Sequence, residues 1–188
     1  MMLGPIRGWL MLPAVLLGLL GGGALAEAGE SKAHPVLYAE NGDWRVYLDS
    51  ASQSCSLALR FDAVYFLFNS VTIDGLTKYH VSFGNNYFNP ENRYYRYEIK
   101  SGNSTLLSMD GRGFKAPAGI GYVMVGPFDA AVLGGFAKSE TLHVKTDGVG
   151  GGDYRLGAFR TGFVRFGDCQ KDLKGGQPSS SPKMRRMN

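Results

Sequence analysis

The chain has 188 residues, of which 44% are hydrophobic and 19% charged, with two cysteines and a formal net charge of +4. This length holds one domain with a real core, and the apolar fraction excludes a chain disordered throughout. Of 20 Lys and Arg, five (Arg7, Lys174, Lys183, Arg185 and Arg186) sit at the two ends, leaving 15 against 16 acids, so the folded part is near neutral and no basic face for nucleic acid is expected.

Residues 1–26 have the three parts of a secretory signal peptide: an early cation at Arg7, an apolar run from Trp9 to Leu20, and the small-residue exit Ala24-Leu25-Ala26. Cleavage is expected before Glu27. The apolar run is shorter than the about 20 residues a membrane-spanning helix needs, so no transmembrane helix is expected once the leader is removed. Residues 27–35 (EAGESKAHP), which include His34, read as a flexible entry. A single domain is expected over 36–173. The stretch 174–188 is rich in Gly, Pro and Ser and carries only basic charge, which reads as a disordered basic tail with scope for peripheral contact with a phosphate-rich membrane surface.

Within the domain, Asn41-Gly42-Asp43 is a turn signal, and Trp44 to Leu48 then alternates, with Trp44, Val46 and Leu48 on the core side. After a break at 49–54, Cys55, Leu57 and Leu59 resume the pattern, so the two segments form a hairpin. Ala63 to Ile73 is aromatic and β-branched and ends at Asp74-Gly75, the composition of a central strand. Thr77 to Phe83 alternates with Tyr79, Val81 and Phe83 inward and Lys78, His80 and Ser82 outward. Arg93 to Lys100 is a further strand. Thr105 to Met109 reads as a short strand closed by Asp110-Gly111, and Ile120 to Val125 as another extended segment.

Pro127 is placed to open a helix carrying Phe128, Val132, Leu133 and Phe136 at helical spacing, although Gly134 and Gly135 each cost about 1 kcal/mol relative to Ala. Thr141 to Lys145 is a strand with His143 outward. The glycines of 147–153 form a loop; they lack the Lys-Ser/Thr ending of a phosphate cradle. Leu156, Phe159, Phe163 and Phe166 recur at helical spacing, which predicts a final helix ending near Gly167 with Cys169 just beyond it. The fold class expected is therefore mainly β: a single β-sandwich-like antiparallel domain with one or two short helices near the C-terminal end.

Two cysteines in an exported chain, Cys55 and Cys169, are most simply one disulfide, with two buried free thiols as the alternative. His34, His80 and His143 are widely spaced, no HxxxH or CxxC pair occurs, and no GxSxG elbow is present, so no metal, cofactor or catalytic residue is assigned. The aromatic stretch from Tyr87 to Tyr97 is the candidate interaction surface, with Arg93, Tyr94, Tyr95, Arg96 and Tyr97 at its centre, because Tyr and Arg combine contact area with a polar end. Alternation puts Arg93, Tyr95, Tyr97 and Ile99 on one face and Tyr94, Arg96 and Glu98 on the other.

An export signal, Gly42-Asp43-Trp44 opening a strand, Ser54-Cys55-Ser56-Leu57, the unit Phe128 to Val144, and Leu156-Gly157-Ala158-Phe159 leading to Cys169 together resemble the invasion associated locus B family of exported bacterial proteins. The chain departs from that pattern at Tyr47-Leu48, where a cysteine-bearing strand is often seen, and at Ala158-Phe159, which replaces a Gly-Phe order. The resemblance implies a β-rich periplasmic or envelope-associated domain, in a group linked to host-cell invasion without an established enzymatic role. The expected function is binding of a protein or envelope component in the periplasm, the outer envelope or outside the cell. A hydrolase assembled from dispersed residues and a carrier of small apolar ligands are the alternatives.

Overall fold

The computed structural model describes residues 35–85, 87–91, 93–115, 120–147 and 151–175. The leader, the entry segment as far as His34 and the tail beyond Gly175 lie outside the described residues. Ten strands follow one another as β1 (Val36–Asn41), β2 (Trp44–Asp49), β3 (Ser54–Phe61), β4 (Val64–Ile73), β5 (Leu76–Asn85), β6 (Tyr94–Ser101), β7 (Ser104–Lys115), β8 (Gly121–Phe128), β9 (Thr141–Thr146) and β10 (Gly152–Arg155). The helix α1 (Ala130–Lys138) falls between β8 and β9, and α2 (Arg160–Lys174) closes the described chain after a short 3-10 turn at Gly157–Phe159.

All ten strands pair antiparallel in one sheet, in the order β1-β2-β3-β4-β5-β8-β7-β6-β9-β10. The first five strands form a meander because each ends on a tight turn such as Asn41-Gly42 or Asp74-Gly75, where Gly42, Gly75 and Asp74 take positive φ. The sheet bends over itself. Tyr154 of β10 meets Phe66 of β4 at 5.1 Å and Phe83 of β5 at 5.6 Å between ring centroids, and Phe83 meets Tyr97 of β6 at 5.9 Å, although these strands are not neighbours in the sheet. Two halves of one sheet therefore face each other across a shared core, and the expected mainly β antiparallel architecture with two helices near its C-terminal end is the one observed.

The period-two pattern decides which side chains meet there. Trp44, Val46 and Leu48, Cys55, Leu57 and Leu59, and Tyr79, Val81 and Phe83 are all buried as predicted, and Phe66 and Phe68 are buried with them. The helices cover the remaining opening of the core. Phe136 of α1 packs on Phe68 and Phe128; Phe163 and Phe166 of α2 pack on Phe68 and Tyr79. Gly162 lets α2 approach the sheet, since a Cβ there would lie 3.1 Å from the Trp44 ring and 3.2 Å from Leu57. The Cys55–Cys169 disulfide then joins β3 to α2, with a Cα–Cα distance of 6.2 Å.

Four boundaries differ from the sequence reading. The strand β7 runs through Asp110-Gly111 as far as Lys115, because its glycines are sites of close packing: a Cβ on Gly111 would lie 2.6 Å from Val123, and one on Gly113 2.6 Å from the Tyr95 ring. Pro127 and Phe128 belong to β8 rather than to the helix, Pro127 being preceded by a cis peptide bond, and Asp129 occupies the N-cap position of α1. Cys169 lies inside α2 rather than beyond it, since Gly167 faces open space and the helix continues on the strength of later contacts from Gln170, Asp172 and Leu173. The strands β1 and β10 are additional; β10 lies so close to β9 that a Cβ on Gly151 would come 2.2 Å from the Val144 carbonyl.

Candidate functional site

Alternation along β6 divides the five predicted residues between two environments. Tyr95 and Tyr97 are 2% and 0% exposed and belong to the core, so they are not part of a contact surface. Tyr95 points inward because Gly113 leaves space for its ring; its hydroxyl accepts a hydrogen bond from the Glu91 backbone N–H at 2.9 Å. Burial drives the Tyr97 phenol well above its ordinary pKa, so it stays neutral. Tyr94 points outward and is 71% exposed. Arg96, also outward, reaches Ser108 Oγ at 3.0 Å and Asp110 at 3.4 Å on β7. Arg93 lies just before the strand, with its guanidinium 4.6 Å above the centre of the Tyr95 ring and paired to Glu91 at 3.1 Å.

Pairing carries the outward face beyond β6. Tyr94 stands beside Arg112, Arg112 beside Met124, Met124 beside Ser82, and Ser82 beside Leu67. The neighbouring row is Phe114, Tyr122, Gly84 and Tyr65. Phe114 stacks on Tyr122 at 5.4 Å, and the Tyr122 ring occupies the space above Gly84, 2.7 Å from where a Cβ would stand. Burial, and to a lesser extent the neighbouring Tyr65, raises the Tyr122 pKa. Met124 at 41% and Phe114 at 38% exposure thus extend the Tyr94 surface across three strands. Sequence reasoning missed Phe114, Tyr122 and Met124; the signal was present in the alternation of β8, where Val123 and Val125 face in and Met124 must face out.

Beside the start of β6, over the buried Phe88 and Tyr95, lies a polar hollow of about 310 Å³. It is built from one stretch of chain, with Asn85, Asn89, Glu91 and Arg93 on its rim and Tyr87 beside them. The loop is fixed to the sheet: Asn85 Oδ1 accepts from the Tyr87 and Phe88 backbone N–H groups, and Phe88 is buried against Tyr95 at 5.4 Å.

The histidines fall elsewhere. His80 is half-buried against Gly126, and burial lowers its pKa. His143 Nδ1 is paired with the Asp153 carboxylate across the β9–β10 register on an exposed surface. Neither lines the 310 Å³ hollow or a second cavity of about 130 Å³ near the C-terminal end of α2. His34 lies outside the described residues. Among the described residues there is no cluster of three or more His, Cys, Asp or Glu arranged to hold a metal, and no helix long and apolar enough to cross a membrane. Comparison with family models, curated proteins and solved structures finds no match to this chain.

Proposed function

We propose that this chain is an exported protein of the periplasm or outer envelope, of the invasion associated locus B kind, and that it acts by binding a protein or envelope component rather than by catalysis. The observation that carries this reading is the outward face of β6, β7 and β8. Tyr94, Phe114 and Met124 expose apolar and aromatic surface in one patch, and Arg96 and Arg112 stand among them. Aromatic and guanidinium side chains on a rigid sheet give large contact area at low entropic cost, which is the composition of interface hot spots. The disulfide supports the exported location, because such bridges persist in oxidising compartments.

A photoreactive amino acid placed at Tyr94 and activated in intact cells tests this reading. A discrete adduct is expected, with its yield reduced about ten-fold by Met124→Glu or Arg96→Glu in the same chain while the melting temperature stays unchanged. A chain that gives no adduct, or an adduct indifferent to both substitutions, refutes binding through this face.

A further inference from the structure

The 130 Å³ cavity lies where two inward stripes change character at the same level. Across the β4–β5 hairpin the inward pairs run Phe66 with Phe83, Phe68 with Val81, Ser70 with Tyr79 and Thr72 with Thr77, from apolar to hydroxyl. Along α2 the inward positions run Phe163, Phe166, Cys169, Gln170 and Leu173, from apolar to amide, and the exposed Lys174 stands at the rim beyond them. Ser70, Thr72, Thr77, Gln170 and Lys174 all line the cavity where these polar ends meet, and no carboxylate is among its lining residues.

One atom there is unexplained by the fold. Gln170 Oε1 accepts the Tyr79 hydroxyl at 3.1 Å, and its Nε2 is buried with no hydrogen-bond partner among the described residues. A buried donor without an acceptor is costly, and natural proteins rarely keep one without a water, an ion or a ligand to receive it. The Ser70 hydroxyl is already committed to Cys55, accepting from its N–H at 2.9 Å and donating to its carbonyl at 3.2 Å, so it forms the wall rather than a recognition group.

We propose that this cavity is a binding site for a small oxyanion, a carboxylate or phosphate group, held by the Gln170 amide N–H, the Lys174 ammonium and the Thr72 and Thr77 hydroxyls. The sign of the ligand follows from the lining: one cation, several donors and no acid. Its size follows from the volume, which is below the roughly 300 Å³ at which sites for drug-sized molecules begin. The C-terminal end of α2 contributes partial negative charge and opposes the anion, so binding is weak and depends on Lys174. The site is independent of the binding face proposed above, since its residues point to the opposite side of the sheet.

The test is a titration of the intact, oxidised chain with sodium acetate and, separately, inorganic phosphate, against sodium chloride at equal ionic strength, following the Gln170 side-chain amide by NMR. Saturable movement with acetate or phosphate and none with chloride is expected; the better ligand of the two assigns the group as carboxylate or phosphoryl. Gln170→Glu keeps an acceptor for Tyr79 but replaces the donor with an oxygen, and should abolish binding. Lys174→Met, an exposed change that leaves the fold intact, should weaken it about ten-fold, and Lys171→Met should not. No saturable movement with either anion, or equal weakening by Lys171→Met and Lys174→Met, overturns the proposal.

Discussion

The Tyr97 hydroxyl is buried without a hydrogen-bond partner among the described residues, in a position where the ring is needed against Phe83 and the oxygen is not. Tyr97→Phe keeps the ring and removes the unsatisfied group, so it should raise stability by about 1 kcal/mol, read as a higher urea midpoint with an unchanged slope. Tyr38 shows the opposite use of a phenol. Burial, then its hydrogen bond to Asp172 at 2.7 Å, pushes its pKa up to about 12 from 10.0. The folded state therefore holds that proton more tightly than the unfolded one, and the contribution is complete below pH 10 and lost as pH rises through 12. Thermal melts across that window should show a falling midpoint, with a shallower fall in Tyr38→Phe.

Among the elements, the disulfide is the strongest single tie. It closes a sequence separation of 114 residues, and restricting the unfolded chain over a loop of that order stabilises by about 4–5 kcal/mol in the chain-entropy model. The paired substitution Cys55→Ser and Cys169→Ser should lower stability by about that much. In the native chain, alkylation without reductant should add no label, and two labels should appear after reduction and unfolding.

Elements whose alternation is carried by large side chains were legible from the sequence: β2 through Trp44, Val46 and Leu48, β4 and β5 through their phenylalanines, β9 through Leu142 and Val144. Elements built around glycine were not. A glycine reads as a break, yet Gly111, Gly113 and Gly151 stand where another group comes too close for a Cβ, and such contacts come from neighbouring strands whose pairing the glycine itself does not announce. The extent of α2 was hidden for the same reason: Gly167 suggests a stop, while the partners that prolong the helix, Tyr79 for Gln170 and Tyr38 for Asp172, lie on other strands.

For the molecule as a whole, the candidate surface was half legible. Local alternation separates Tyr94 and Arg96 from Tyr95 and Tyr97, but cannot say which set faces the core. That depends on Phe83, Phe88 and Gly113 receiving the second set. The patch that includes Met124 and Phe114 exists only through pairing between β6, β7 and β8, which composition cannot supply. In the photocrosslinking experiment, outward substitutions at Arg96 and Met124 should separate binding from stability. Core substitutions at Tyr95 or Tyr97 would confuse the two.

The bridge between β3 and α2 also changes what a broken backbone means. Every strand from β4 to β10 lies between Cys55 and Cys169. A protease that cuts one peptide bond in any turn of that span leaves two polypeptides still joined through sulfur, and both cut ends remain held in strands of the same sheet. Such a nick releases no fragment, so a clipped molecule keeps its mass apart from one added water and its outward face stays assembled. Damage to a loop is thereby uncoupled from loss of the surface.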